Sequence, residues 1–220
     1  MQQICSCIGS KIDLYVLGLL LRETHFVEGS GTVENEALAK KAIFMASQEG
    51  LLAVNQDGMG VTFTHDSVNE AAYSLLEPGR QATFHYELGK ILQKNVCQTL
   101  LRKYLFTIAA QLARGNGIIT DEEDRISTAF IFLNAGEKSM AASAFPEAHF
   151  FFSEGIKLLH NDDWTSNQNY RLCCDLYIKA ADMGGLTADF KDMDKCLKVL
   201  FAHCHGASVD FLNASYLQVR

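Results

Sequence analysis

The sequence predicts a mainly α-helical fold in two parts. Three observations carry that expectation. Strand-like alternation is confined to residues 51–64, while apolar residues elsewhere recur at helical spacing. Only two prolines occur, Pro78 and Pro146, each where a helix would start or break. Beyond residue 78 the apolar stripes come in pairs separated by short polar or glycine breaks, as antiparallel helix pairs require. Residues 1–77 therefore read as a winged-helix-like domain with one β-hairpin. Residues 78–220 read as a tetratricopeptide (TPR)-like α-solenoid whose last helix is still running at Arg220.

The first element reads as a helix from Ser10 to about Arg22, with Ser10 as its cap and Asp13 in its first turn. The polar, glycine-rich HFVEGSGTVEN follows. Glu34 to Glu49 reads as a second helix with Leu38, Ala42, Met45 and Ala46 on one face, and Gly50 as its C-cap. Leu51–Val54 and Val61–Thr64 read as strands joined by the turn residues Asn55 to Gly60, a β-hairpin. The period then changes. Val68, Ala71, Ala72, Leu75 and Leu76 fall on one helical stripe. Asp66 stands at the start of that helix, where a carboxylate suits the free N–H groups and the positive dipole end. His65 is thus at a strand-to-helix junction. A histidine there is ordinarily a local hydrogen-bonding residue, but a helix N-terminus can also receive a phosphate.

The remaining elements are helical. Gly79 to Lys94 carries Phe84, Leu88, Ile91 and Leu92 on one face, and Val96 to Arg114 is stopped by Gly115-Asn116-Gly117. Thr120 to Ser143 opens on the acidic turn Asp121-Glu122-Glu123-Asp124, which favours a helix N-terminus. Pro146 suits the first turn of the next helix, which ends near His160. Gln168–Met183 and Phe190–His203 are separated by Gly184-Gly185, and a last helix begins near Ser208. Gly136, Ala148, Phe152 and Gly155 stand at the offsets of the small and aromatic positions of a TPR repeat. There, a small residue on one helix admits an aromatic from the next.

Charge and chemistry narrow the function. Lys+Arg number 19 and Asp+Glu 26, a net charge of −7 with no basic block, so binding nucleic acid by bulk charge is not expected. A DNA-reading winged helix is disfavoured on the same ground. The seven cysteines are odd in number and sit mostly in apolar helical stretches, the usage of reduced thiols in the cytoplasm. The N-terminus lacks a basic n-region, and the apolar run Leu14–Leu21 is too short to cross a bilayer, so no membrane is expected. Cys196 and His203 share a helix face. The adjacent positions His203, Cys204 and His205 diverge, however, and no second Cys-x-x-Cys supports them, so no metal is expected. No G-x-x-x-x-G-K-[ST] loop exists: Gly29-Ser30-Gly31-Thr32 lacks the lysine. The chain is therefore not expected to be an enzyme or to hold a cofactor of its own.

FTHDSVNEAAYSLL followed by HYELGKIL resembles the segment after the nucleotide-binding core of STAND-type, AAA-related signalling ATPases. More narrowly, it resembles the large ones fused to Ser/Thr kinase, GAF and histidine-kinase domains. ICSCIGSKIDLYVLGLLL resembles the opening of their winged region. GIITDEEDRISTAFIFLNAGEKSMAASAFPEAHFFFSEGIKLL, with its small-residue run Ala135 to Ala144, resembles their helical repeats. The resemblance implies that His65 contacts the β-phosphate of ADP, with Asp66 as the cap that orients it. ATP or ADP would belong to the parent protein. The partners implied are an upstream nucleotide-binding domain and a protein seated in the solenoid groove. On that basis the chain is expected to be a non-catalytic regulatory section of a signal-transduction ATPase, coupling nucleotide state to partner binding. The alternative is a free-standing TPR-like adaptor.

Overall fold

The computed structural model describes residues 1–23 and 32–203, with side chains described at 1–23 and 40–203. Residues 29–31, Leu38, Cys204, His205 and the helix expected from Ser208 lie wholly or in their side chains outside that description. The fold is mainly α. In chain order the elements are α1 (Gln2–Ile8), β1 (Lys11–Asp13), α2 (Leu14–Glu23), α3 (Thr32–Gln48), β2 (Leu52–Val54), β3 (Gly60–Phe63), α4 (Asp66–Ser74), α5 (Pro78–Asn95) and α6 (Gln98–Arg114). Then come α7 (Glu122–Ala141), α8 (Phe145–Ile156), α9 (Tyr170–Leu186) and α10 (Phe190–His203). Two compact units are present, Met1–Ile118 and Ile119–Arg220.

The first unit is built around a small antiparallel sheet of order β1-β3-β2. The expected hairpin is its β2-β3 pair, with Leu52 opposite Phe63 and Val54 opposite Val61. The third strand corrects the expectation of a helix start at Ser10. Lys11–Asp13 pairs with β3, placing Ile12 opposite Val61, and both side chains are buried. The Ser10 carbonyl accepts the Phe63 N–H at 3.3 Å instead of opening a helix. Asp13 still serves a helix start one residue on, its Oδ1 accepting the Tyr15 N–H at 2.9 Å. Three residues are too few for a period of two to show against the helix that follows. The helix α1 was not foreseen; its Ile4, Cys5 and Cys7 are buried, and it packs on α4.

Two faces turn differently from the expected stripes. On α3, Ala46 is buried while Met45 is 56% exposed; on α4, Ala72 is buried while Leu75 is 63% exposed. The division between units falls at 118/119 instead of 77/78, because α5 and α6 complete the core of the first unit. Leu88 and Leu92 of α5 and Ile108 and Leu112 of α6 are fully buried, and these helices pack on α2 and α1. Gly89 lets them close, since a Cβ there would meet Leu112 Cδ2 at 2.7 Å.

The second unit is a succession in which α7 packs on α8, α8 on α9 and α9 on α10, as a TPR-like solenoid requires. The small-aromatic spacing is realised: a Cβ on Gly136 would stand 2.6 Å from Phe152 Cδ1. Asp121 caps α7 by accepting the Asp124 N–H at 3.0 Å. Gly184-Gly185, expected to end a helix, lies inside α9. The bare Cα of Gly184 admits Met193 and the Asp189 carbonyl, each 3.2 Å from where a Cβ would be. The turn comes later, at Ala188 with φ of 62°. Arg125 at the start of α7 reaches Asp163, which lies in the short 3₁₀ turn Asn161–Trp164. Among the described residues no helix is long and apolar enough to cross a membrane.

Candidate functional site

The junction at His65 is made by the end of the sheet. Thr64 donates its hydroxyl to the Gly50 carbonyl at 2.6 Å, and its N–H reaches the Leu51 carbonyl at 3.2 Å. The chain stays extended at His65 (φ −142°, ψ 144°), whose carbonyl then accepts the N–H groups of Val68 and Asn69. His65 is therefore the N-cap residue. Its imidazole is exposed and makes no capping hydrogen bond. Asp66 is the first helical residue, exposed, with its carboxylate at the positive end of the dipole. The cap position expected of Asp66 thus belongs to His65. An imidazole free to turn beside first-turn N–H groups can bind an oxyanion; the Asp66 charge competes for the same position.

A second polar assembly begins on the same helix, eight residues on, and sequence reasoning missed it. The Tyr73 hydroxyl lies 3.1 Å from His85 Nε2 on α5, and His85 Nδ1 lies 2.7 Å from Gln111 Oε1 on α6. Gln111 Nε2 donates to the Cys7 carbonyl at 2.8 Å, and Arg114 donates to that oxygen at 3.2 Å. A carboxamide oxygen only accepts, so Nδ1 carries the ring proton and Nε2 accepts from Tyr73. His85 and Gln111 are each 1% exposed. Burial lowers the His85 pKa below its ordinary 6.5, the Gln111 acceptor works against that, and the nearby Arg114 charge adds to the lowering. The net effect favours the neutral ring. One signal existed: His85, Leu88 and Leu92 stand at i, i+3 and i+7, the buried face of α5.

Two apolar clefts flank α3. One, of about 470 Å³, is lined by Met1, Gln3, Ala42, Met45, Glu49 and Leu75 among others. The other, of about 320 Å³, is lined by Leu14, Leu17, Leu21, Ile43, Phe44 and Val54 among others. Phe44 is 64% exposed. Both are open, mainly apolar depressions of the surface.

The thiols differ sharply. Burial pushes Cys5 and Cys7 up to about 11, and Cys173 and Cys196 up to about 12. Cys97 is exposed at the N-cap of α6, and its pKa lies below the ordinary thiol value. The Thr99 hydroxyl contributes most to that lowering, followed by the Leu100 N–H. Within the first unit His65 and His85 are not brought together: the one is exposed and the other buried. His149 pairs with Asp192 at 3.0 Å in the second unit. His203 stacks on Trp164, ring centroids 4.6 Å apart and planes 8° from parallel, while Cys196 is buried. Among the described residues no three metal-ligating side chains are grouped.

No family model matches the chain, and no solved structure matches it. It is similar to hybrid signal transduction histidine kinase G of Dictyostelium discoideum, 22% identical over 158 residues. That match covers 62% of this chain and 5% of the kinase, so the chain spans only a small part of the curated relative's length. The similarity relates the chain to a signalling protein.

Proposed function

We propose that the chain is a non-catalytic regulatory and interaction section of a STAND/AAA-type signal-transduction protein, coupling nucleotide state to partner binding. The observation that carries this reading is the exposed His65 at the N-terminus of α4. It is presented by a three-stranded wing, in a chain similar to part of a hybrid signalling kinase. His65 reads the β-phosphate of ADP held by an upstream nucleotide-binding domain, which also supplies the ATP chemistry. The helical second unit receives the protein partner. Function at the cytoplasmic side of a signalling pathway accords with the buried, reduced thiols. The coupling requires that the two nucleotide states make different contacts with this section.

The test uses the full-length polypeptide that contains this sequence. His65→Ala should shorten ADP retention on the purified protein and change its response to ATP. Unchanged retention together with unchanged switching refutes the nucleotide reading.

A second reading is supported by the clefts beside α3. A protein adaptor that touches no nucleotide would use the exposed Phe44, Met45 and Leu75 as anchors. The two readings separate on one result. Phe44→Ser with Met45→Ser abolishes partner binding in an adaptor while nucleotide has no influence on it.

A further inference from the structure

We propose that Tyr73, His85 and Gln111 form a relay that makes α4 and α6 respond as one body. A contact made at the His65 end of α4 is then felt at the last turn of α6. The relay rests on the functional reading above only in taking the His65 end of α4 as the place where a signal enters.

Three observations carry it. The first is continuity. Two hydrogen bonds on opposite sides of one imidazole join three helices, and only one tautomer satisfies both. The Tyr73 and His85 rings are also in contact, with centroids 5.8 Å apart. The second is anchorage. Gln111 is fixed at its other end to the Cys7 carbonyl, and Arg114 holds the same oxygen, so the chain of bonds terminates on the last turn of α6 and the end of α1. The third is the lack of slack beyond that point. Gly115, which caps α6, lies directly on α5: a Cβ there would meet Tyr86 N at 2.7 Å and the Ala82 carbonyl at 2.8 Å. Tyr86 is the neighbour of His85. The end of α6 therefore follows the backbone that carries the ring.

An apolar side chain would fill the space of His85 without the desolvation that a buried imidazole costs. Directional bonds add register, holding one arrangement where apolar faces can slide. His85 is thus a positioning residue between α4 and α6.

Hydrogen exchange read by mass spectrometry on the 220-residue chain tests the relay, with α2 as an internal control. Tyr73→Phe keeps the ring and removes the hydroxyl. It should raise exchange in the last two turns of α6 by about fivefold, the worth of one neutral hydrogen bond. Gln111→Leu should raise exchange in α4 by a similar factor, because coupling is reciprocal. The double variant should exceed neither single one by much, since both break the same chain. Effects confined to each variant's own helix, additive effects in the double variant, or an equal rise in α2 overturn the relay. If Gln111→Leu does not fold, the α6 readout of Tyr73→Phe decides by itself. No nucleotide enters these measurements. Failure here leaves the role of His65 standing, and unchanged ADP retention in His65→Ala leaves the relay standing.

Discussion

Replacing Arg125 with methionine should cripple the second unit. The Arg125 and Asp163 side chains are 6% and 3% exposed, and the guanidinium contacts both carboxylate oxygens, at 2.8 and 3.3 Å. Arg125 also donates to the Leu158 carbonyl at the end of α8. Asp163 in turn accepts the His160 N–H at 2.7 Å and the Asn169 amide at 2.9 Å, so five polar groups close on one buried site. Met fills the stem's volume but leaves the carboxylate without its cation. Breaking one side of a buried pair costs about 3–5 kcal/mol, against a total of about 5–15 kcal/mol for a domain of this size. With a urea m-value of about 1–3 kcal/mol/M, the midpoint should fall by roughly 1–5 M. Trp164, the chain's one tryptophan, follows Asp163 directly, so its fluorescence reports this unit alone. Arg125→Met/Asp163→Leu should recover much of the loss, because no uncompensated charge remains.

The same buried pair gives the unit a pH dependence of definite sign. Burial alone would raise the Asp163 pKa. The Arg125 hydrogen bonds, the His160 N–H, Asn169 and the Arg125 charge outweigh it, and the net shift is downward from 3.8. A lowered carboxyl contributes stability that is present above 3.8 and is lost as pH falls through the folded value. Arg125→Met should shrink that acid sensitivity. A midpoint shift under about 0.3 M urea, or a double variant as weak as the single one, refutes the argument.

Three further outcomes are expected. Gly136→Val drives a branched side chain into the Phe152 ring and should cost about 1–3 kcal/mol or more, read from the same Trp164 urea curve. The His85 pKa lies below 6.5, so its neutral burial contributes stability that is present above 6.5 and is lost as pH falls below it. His85→Leu should flatten the dependence of α5 hydrogen exchange between pH 7 and 5. Cys97→Ser should remove a fast phase from the reaction with a thiol-specific reagent at pH 7, whereas Cys5, Cys7, Cys173 and Cys196 react only on unfolding.

Local chemistry was legible where it is decided locally. The change of period at His65 marked the strand-to-helix junction, and the offset of Gly136 from Phe152 was enough to announce a helix pair. What escaped depends on partners distant in sequence. Lys11–Asp13 is a strand only because β3 lies alongside it, and nothing within those three residues says so. Met45 and Leu75 sit on apolar stripes, yet neighbouring helices leave them outside, so spacing alone overstated the core. Gly184-Gly185 looked like a break because glycine disfavours helix, but close approach of α10 outweighed that propensity. The Tyr73–His85–Gln111 assembly was hidden for a related reason. Histidine and glutamine do not register as core residues until the helices that satisfy them are seen together.

The position of β3 in the middle of its sheet has a practical corollary for anyone expressing pieces of this polypeptide. Both of its borders are occupied, one by Leu52–Val54 and the other by Lys11–Asp13. A fragment begun downstream of Asp13 keeps every turn of the wing yet bares a row of amides and carbonyls along Gly60–Phe63. Such a margin invites a second molecule to zip onto it. Cloning boundaries chosen by helix content alone would open that margin, which the short stretch ahead of α2 covers.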